Sequence, residues 1–463
     1  MTDTTGDLVT GPGESASLAA MGYKQELKRA LSFWDLIVFG LICISPTAPT
    51  AIFGFVYNKS HGMPALAYVV GLVAMLFTAL SYMTMSRAFP VAGSAYAFAG
   101  RSIGVSAGFI AGWAILLDYL LVPTLCYVVA AAAIHAIAPA VPRVLLVVVF
   151  LVAVTATNLL GVESSNRFNK VMLWVQLAVL VGFVAFAGIA LSHGVGGAHF
   201  STAPVWQPGV VTAPLIFSAI SVAALSFLGF DAISTLSEEV KGGPRSVGRA
   251  TVLSLVIAAG LFVLQTWLAS LFVLGKPAFA AGEASDTAFL GIVGTISGPW
   301  FKGVMSIVGI ALGSIACALV AQAACARLIY GMARDGKLPR WFAHVNGGRQ
   351  TPERATVLIA LITLVTGLFA VDKIEEMSSL VNFGALTAFL FVHLSVLVHF
   401  GLKSGRNWFL HVLSPILGLG IIGYVMWNMD HKAQILGASW LAIGLVVMLI
   451  LKLRKQPLDV PVA

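Results

Sequence analysis

Two acidic residues lie where an acidic side chain is difficult to accommodate, inside long apolar segments. Asp118 is flanked by leucines and Tyr119, and Asp231 follows the apolar stretch that includes Phe227. A charged group in hydrocarbon is costly, and such residues usually line a transport pathway or pair with a partner. We therefore take Asp118 and Asp231 as candidate pathway residues. An alternative for Asp118 is a purely structural bond that ties its helix to a backbone amide.

Other chemistry is poorly represented in the chain. The four cysteines lie in apolar runs without a CxxC pair, which predicts four small buried hydrophobic residues and no zinc site or disulfide framework. The nine histidines show no HxxxH or HExxH spacing, and no P-loop is present. A membrane-embedded enzyme would need a nucleophile–base pair or a metal cluster at depth, and the sequence offers neither. We expect no enzyme activity, no metal and no cofactor. A channel is also disfavoured, since no re-entrant filter sequence is visible.

The composition places most of the chain in a lipid bilayer. Of 463 residues, 59% are hydrophobic and 10% are charged, whereas soluble domains carry about 25% charged residues. This excludes an ordinary soluble enzyme, a disordered protein and a nucleic-acid binder. The net charge of +8 is therefore interpreted as an excess of basic residues in cytoplasmic loops.

Twelve apolar segments are long enough to cross a bilayer as helices, since a bilayer core needs about 20 residues. They lie near residues 31–57, 64–86, 104–134, 143–161, 170–192, 212–236, 251–274, 300–326, 355–371, 377–400, 407–428 and 434–451. The sequence thus predicts an all-α integral membrane protein with 12 transmembrane helices. An even number of spans puts both termini on one side. With the N-terminus in the cytosol, 21 Lys and Arg residues fall inside and 6 outside, which predicts cytosolic termini.

Segments 1 and 6 carry residues that interrupt helices. Segment 1 contains Pro46 and Pro49, each of which removes an amide donor, and segment 6 contains Gly229 beside Asp231. Unpaired backbone groups survive in a membrane only when they face protein or water. Interrupted helices at matching positions of two halves are typical of inverted-repeat transporters with a substrate site near the midplane. The alternative is that the prolines only kink a packed helix.

Two glutamates follow segment 6. Glu238 lies seven residues after Asp231, two helical turns further along the same face. Lys241, Arg245 and Arg249 follow closely, so a solvated shell of charges is the alternative. We favour that shell for Glu239 and leave both interpretations open for Glu238.

Several long motifs together give the chain a family resemblance. The four stretches lie in order at residues 77–97 (FTALSYMTMSRAFPVAGSAYA), 226–250 (SFLGFDAISTLSEEVKGGPRSVGRA), 326–339 (ARLIYGMARDGKLP) and 380–396 (LVNFGALTAFLFVHLSV). The chain resembles the amino acid–polyamine–organocation permeases over nearly all of residues 31–450, and within them the bacterial putrescine importers. The resemblance implies a leucine-transporter-type fold of five plus five inverted helices and two additional C-terminal helices.

The implied domain organisation divides the chain into two repeats and their flanking segments. The boundaries are residues 1–25 for a cytosolic tail, 26–200 for the first inverted repeat, 201–402 for the second, 403–453 for helices 11 and 12, and 454–463 for a second cytosolic tail.

Two departures from the family pattern bear on the substrate and the coupling ion. Amino-acid members usually have a glycine-rich turn in segment 1 that holds a carboxylate, whereas this chain has Ser45-Pro46-Thr47-Ala48-Pro49. A diamine, which has no carboxylate, fits such a turn better. Gln176 stands where many relatives have a lysine linked to ion coupling, so the coupling ion, proton or sodium, stays open.

We expect a secondary transporter of the bacterial cytoplasmic membrane that imports putrescine or a related polyamine by alternating access. Its partners are a small cationic substrate and the lipid bilayer, with no nucleic acid, and the sequence does not determine an oligomeric state. The alternative is an amino-acid permease or exchanger of the same fold. The expected substrate-binding residues supply carboxylates, aromatic faces, hydroxyls and exposed carbonyls for ammonium groups. They are Ser45, Thr47, Asp118, Tyr119, Phe227, Asp231 and Glu238.

Overall fold

The computed structural model describes residues 29–91, 94–160, 162–241, 243–346, 351–401 and 406–453. Within these ranges the chain is helical, and its β-type pairing is one isolated parallel bridge between Leu31 and Val240. The two tails expected at residues 1–25 and 454–463 lie outside the described residues.

Sixteen α-helices are described. The first eight are α1 (Phe33–Ile44), α2 (Ala48–Lys59), α3 (Pro64–Ala88), α4 (Ser94–Ser102), α5 (Val105–His135), α6 (Arg143–Leu159), α7 (Val162–Ser192) and α8 (Ala213–Phe227). The second eight are α9 (Gly243–Leu271), α10 (Glu283–Asp286), α11 (Ala288–Val304), α12 (Gly313–Arg334), α13 (Glu353–Ala370), α14 (Ile374–Phe400), α15 (Ser414–Trp427) and α16 (His431–Leu453). A 3₁₀ segment, Asp231–Leu236, follows α8, and a π-helical segment, Met305–Leu312, joins α11 to α12.

Among the described residues, ten helical segments are long and apolar enough to cross a membrane, and the bent pair α1 and α2 gives an eleventh. The shorter apolar helix α6 coincides with the predicted segment 143–161. The predicted segment 300–326 falls within a longer continuous helical stretch, Ala288–Arg334. These findings confirm an all-helical protein with many apolar spans.

The predicted interruption of segment 1 is present at residues 45–47. Helix α1 ends at Ile44, α2 begins at Ala48, and their axes differ by 43°. Ser45 adopts a φ of 61°, which a non-glycine residue seldom adopts. Pro49 occupies the first turn of α2, where its missing amide donor has no helical partner to lose. The prolines therefore start a second helix as well as ending the first.

The predicted interruption of segment 6 is also present. Helix α8 ends at Phe227, Leu228 is extended, and Gly229 adopts a φ of 110°. A Cβ atom at Gly229 would lie 2.8 Å from the Cys43 Sγ. Glycine is required here both by the backbone conformation and by the close approach of the two interrupted helices.

Helix α5 runs through the middle of the bundle, where it packs against α4, α12, α13 and α14. The last helix is fixed to it by two tryptophans. Trp113 Nε1 donates to the Trp440 carbonyl at 2.9 Å, Trp440 Nε1 donates to the Trp113 carbonyl at 2.8 Å, and their rings stack 4.8 Å apart. This arrangement joins α16 to α5 by two hydrogen bonds and a ring stack.

Candidate functional site

A cavity of ≈ 90 Å³ lies where the two interrupted helices meet α5 and α12. Its wall is mostly apolar, with hydroxyl and thiol groups and no charged side chain. The lining includes Cys43, Ile44, Ser45, Thr47, Thr50, Val122, Leu125, Cys126, Val129, Leu225, Ser226, Leu228, Ile310, Ser314, Cys317 and Ser378. Of the seven predicted substrate-binding residues, Ser45 and Thr47 line this cavity.

Asp118 lies on the face of α5 that lines the cavity. Val122, Leu125 and Cys126 follow it by four, seven and eight positions, which places all four on one side of the helix. Asp118 is 1% exposed, and its Oδ1 atom has no hydrogen-bond partner. The backbone-amide tie considered from the sequence is therefore not seen at Oδ1. A carboxylate in this setting needs either a proton or a cation beside it.

Tyr119 and Asp231 are brought together across the bundle. The Tyr119 hydroxyl donates to Asp231 Oδ2 at 2.6 Å, and the Gly229 amide donates to Asp231 Oδ1 at 3.3 Å. Asp231 is fully buried. Of the two predicted carboxylates, Asp231 is satisfied by hydrogen bonds and Asp118 is open at Oδ1, and neither is among the residues that line the cavity.

Phe227 packs in an aromatic cluster away from the cavity lining. Its ring packs against Tyr68 and Phe262, with centroids 5.8 and 5.4 Å away, and it is not among the residues that line the cavity. Its neighbour Ser226 does line the cavity and shares a 2.8 Å hydrogen bond with the Tyr68 hydroxyl. The polar group at this point of α8 is therefore the serine.

Glu238 and Glu239 form buried ion pairs with α12. Glu239 Oε1 lies 2.5 Å from Arg327 Nε, with 2% of the glutamate side chain and 7% of the arginine side chain exposed. Glu238 Oε1 lies 3.1 Å from Arg334 Nη2, and its side chain is fully buried. The solvated shell that we favoured for Glu239 is wrong, because the fold buries this segment under α12. Glu238 is likewise placed in an ion pair and not in the cavity lining.

Backbone bonds close the same end of the bundle. The amides of Ala30 and Leu31 both donate to the Glu239 carbonyl at 3.1 Å, and the Lys241 amide donates to the Leu31 carbonyl at 2.9 Å. We call this closed end, where Leu31, Glu239 and Arg327 meet, the basic end. The segment before α1 and the segment after the 3₁₀ turn are therefore joined to each other.

At the first interruption the hydroxyls of Ser45 and Thr47 donate their protons to protein acceptors, whereas Gln176 Nε2 keeps its protons without a partner. Ser45 Oγ donates to Gln176 Oε1 at 3.2 Å, and Thr47 Oγ1 donates to the Gly309 carbonyl at 2.7 Å. Gln265 Nε2 donates to the Pro46 carbonyl at 2.9 Å. The Ser45 and Thr47 hydroxyls therefore keep only lone pairs for a guest, and a carbonyl predicted to be exposed at the break already accepts one bond.

Helix ends also face the cavity. Cys43 and Ile44 belong to the last turn of α1, and Leu225 and Ser226 to the last turn of α8. The carbonyl ends of two helices carry partial negative charge and favour a cation. The amino end of α2 meets the same cavity and has the opposite sign, but Pro49 supplies no amide there and the Ala48 amide donates to the Ser45 carbonyl at 2.9 Å.

Comparison with known proteins identifies the chain. Residues 31–451 match the amino acid permease family. The chain is an amino acid permease family member. The permease is 34% identical to the low-affinity putrescine importer PlaP of Escherichia coli strain K12, over 91% of this chain and 93% of that protein. It is 26% identical to the branched-chain amino acid permease BcaP of Bacillus subtilis, over 96% of this chain and 97% of BcaP.

A third relative is the methylthioribose transporter of Bacillus subtilis, which is 28% identical over 93% of the permease and 95% of that transporter. The three relatives are named for a diamine, for amino acids and for a thiosugar. Together with the family match they show that the permease is a multi-pass membrane transporter and not an enzyme. Its own substrate has to be argued from the site.

Sequence reasoning missed the thiols and Gln265 as parts of the permease site, and it named Gln176 only as the position of a family lysine. Cys43, Cys126 and Cys317 come from three helices to line one cavity, and Cys317 Sγ donates to the Cys43 carbonyl at 2.8 Å. All four cysteines are free; Cys43, Cys317 and Cys325 are buried, as predicted, whereas Cys126 is partly exposed. Across the described ranges, no group of three or more histidine, cysteine or acidic side chains is arranged to hold a metal ion. Gln176 and Gln265 were detectable as isolated amides in apolar runs.

Proposed function

We propose that the permease imports putrescine or a related polyamine across the cytoplasmic membrane by alternating access. The observation that carries this proposal is the Asp118 carboxylate, which is buried on the same face of α5 as the lining residues Val122 and Leu125 and has Oδ1 unpartnered. A buried carboxylate without a partner is strongly unfavourable. An alkylammonium group, which has three donors and no acceptor, is the complementary ligand.

The hydroxyls around the cavity support a guest that only donates. Ser45 Oγ and Thr47 Oγ1 have donated their protons to protein acceptors, as has the Thr50 hydroxyl, which donates to the Thr47 carbonyl at 2.7 Å. What each hydroxyl retains is lone pairs. A guest carboxylate would therefore find no free proton on these three hydroxyls, and the free side-chain donor beside them is Gln176 Nε2.

The same features argue against an α-carboxylate at the first interruption. A carboxylate is favoured at the amino end of a helix when backbone amides point at it. At the start of α2, Pro49 has no amide and the amides of Ala48 and Thr50 donate to protein carbonyls. The ammonium group is instead favoured at the carbonyl ends of α1 and α8.

An amino-acid permease is the second candidate function, because no charged side chain lines the cavity itself. A neutral amino acid would place its side chain against Val122, Leu125 and Val129. Under this alternative, Asp118 and Asp231 would stabilise the interrupted helix and would not contact substrate.

For the transport cycle we propose a twelve-helix topology, with α6 counted as a span. Two inverted repeats, 26–200 and 201–402, would precede the last two helices in 403–453. The basic end would face the cytosol together with both termini. Rocking of the bundle that contains the two interrupted helices would open it, and opening requires the ion pairs of Glu238 and Glu239 to separate from α12. We assign Glu238 to this closure and not to substrate contact.

Counterflow in proteoliposomes tests the proposal. Liposomes loaded with unlabelled putrescine should accumulate labelled putrescine through the permease, and accumulation should saturate with concentration. Liposomes loaded with leucine serve as the matched test of the second candidate. Accumulation of labelled leucine without accumulation of putrescine would overturn the polyamine assignment. Imposed proton and sodium gradients, applied separately, would identify the coupling ion. Gln176, at the position of the family lysine linked to coupling, is the residue to vary in that experiment.

A further inference from the structure

A second cavity lies at the end of the bundle opposite the basic end. We call it the distal vestibule; its volume is ≈ 150 Å³. Its lining comes mainly from α2, α8, the first turns of α14 and the connection between α15 and α16. It shares Ile52 and Ser378 with the ≈ 90 Å³ cavity at the two interrupted helices, which we call the central cavity. The residues that matter to its chemistry are Asn58, Lys59, Ser221, Glu375, Ser378, Asn382 and Asp430.

An unpartnered acceptor lies in the wall of the distal vestibule. Asn382 is 1% exposed, and its Nδ2 atom donates to the Ser221 carbonyl at 2.9 Å. Its Oδ1 atom has no hydrogen-bond partner. A buried amide oxygen without a partner is destabilising relative to a satisfied one, so this oxygen is expected to bind a donor from a ligand or from water.

The neighbouring hydroxyls have the same polarity. Ser378 Oγ donates to the Ile374 carbonyl at 2.6 Å, and Ser221 Oγ donates to the Ser218 carbonyl at 2.8 Å. Each hydroxyl therefore keeps acceptor lone pairs and no free proton. Asn58 is fully engaged with Phe279, donating to its carbonyl at 2.9 Å and accepting from its amide at 2.8 Å. The wall thus offers acceptors in excess of donors.

The charges at the rim favour a cation as well. Glu375 and Asp430 contribute two carboxylates to the lining and Lys59 contributes one ammonium, all three exposed at the mouth. The net charge of the lining is therefore −1. Exposed carboxylates attract a cation from solution, and the low-dielectric wall below them strengthens the interaction.

We propose that the distal vestibule is a second binding site for an alkylammonium group, which captures the amine before it passes Ser378 into the central cavity. Asn382 Oδ1 and the two serine hydroxyls accept from the ammonium, and Glu375 and Asp430 compensate its charge. The choice of amine rests on the proposed function, whereas the presence of a cation site rests on the vestibule alone.

Equilibrium binding of radiolabelled putrescine to the purified full-length permease tests the site. The wild type is expected to bind two molecules per chain. The double variant Glu375→Gln/Asp430→Asn and the single variant Asn382→Leu should each lose one site or weaken it by at least about tenfold, and Asp118→Asn should lose the other. Glu376→Gln, which removes a charge next to the vestibule without lining it, is the matched control and should keep both sites.

The outcomes separate this proposal from the proposed function. One site per chain that disappears in Asp118→Asn and persists in the vestibule variants would overturn the vestibule and leave the polyamine assignment intact. One site that persists in Asp118→Asn and disappears in the vestibule variants would support the vestibule and overturn the central assignment. No saturable binding to the wild type would overturn both. The exposed double variant guards against misfolding of Asn382→Leu.

Uptake kinetics give an independent measurement. Loss of a capture site slows entry of the amine without changing the steps that follow, so the double variant should have an uptake KM raised severalfold and an unchanged maximal rate. A lowered maximal rate at unchanged KM would contradict a capture role.

Discussion

The Tyr119 hydroxyl donates a hydrogen bond of 2.6 Å to the Asp231 carboxylate. This bond joins α5 to the 3₁₀ segment that follows α8. Because the Gly229 amide binds the other carboxylate oxygen, Asp231 connects the break to the wall of the cavity. Asp118, one residue before Tyr119, keeps Oδ1 without a partner. Tyr119 is therefore bonded to a carboxylate with hydrogen-bond partners on both oxygens and follows directly after a carboxylate with an unpartnered oxygen.

The first prediction concerns Asp118. Asp118→Asn should reduce putrescine uptake at least about thirtyfold, because a charged hydrogen bond and its Coulomb attraction are lost, about 2 kcal/mol. Initial rates in proteoliposomes measure this. Asp372→Asn, at an exposed carboxylate paired with Arg143 at 3.1 Å, is the control and should transport normally. Normal kinetics in Asp118→Asn would remove it from the substrate site.

The second prediction separates the ring of Tyr119 from its hydroxyl. From the sequence, the ring face alone is expected to attract an ammonium group, so that Tyr119→Phe would be milder than Tyr119→Leu. The hydrogen bond to Asp231 changes this expectation: both variants should lose uptake to a similar degree. In a double-mutant cycle with Asp231→Asn, the coupling free energy should be about 1.5–3 kcal/mol. Additive effects would show that the bond does not matter to transport.

The third prediction concerns substrate class. Ornithine resembles putrescine with an added α-carboxylate, and burying that charge without donors should cost at least about 2 kcal/mol. Unlabelled putrescine should therefore compete for labelled putrescine uptake at least about thirtyfold better than ornithine. Neutral amino acids should compete very little. If ornithine or leucine competes as well as putrescine, the polyamine assignment is wrong and the amino-acid assignment replaces it.

The fourth prediction concerns the closed basic end. Arg327→Gln leaves Glu239 buried without its cation and should lower the free energy of unfolding by about 3–5 kcal/mol. The double variant Glu239→Gln/Arg327→Gln should recover part of this loss. Lys170, whose side chain is 48% exposed, pairs with Asp35 at an Nζ–Oδ1 distance of 2.6 Å. Lys170→Gln removes this exposed pair and should change the free energy of unfolding by less than about 1 kcal/mol. Thermal unfolding in one detergent compares the three, and an equal loss in Lys170→Gln and Arg327→Gln would contradict the role of burial.

Part of the site could be predicted from local sequence because its causes are local. Pro46 and Pro49 remove backbone donors wherever they stand, and Gly229 is the residue in its segment that adopts positive φ without strain. The two breaks therefore follow from the segments themselves. Asp118 and Asp231 were detectable for the same reason, since a carboxylate within an apolar run is costly in any packing of the helices.

Tertiary structure decided which partner each of these groups has. Glu238 and Glu239 were followed by basic residues in sequence, but the fold pairs them with Arg334 and Arg327, about ninety positions further on, at 3.1 and 2.5 Å. Cys43, Cys126 and Cys317 meet at one cavity although they belong to three helices. Phe227 and Ser226 are adjacent in sequence, yet only the serine lines the cavity. Apolar length and helix-breaking residues act through the local backbone, so the sequence by itself determined that the protein is built of many apolar helices and where two of them are interrupted. Partners and cavity walls depend on how helices rotate and pack, which is a property of the assembled bundle.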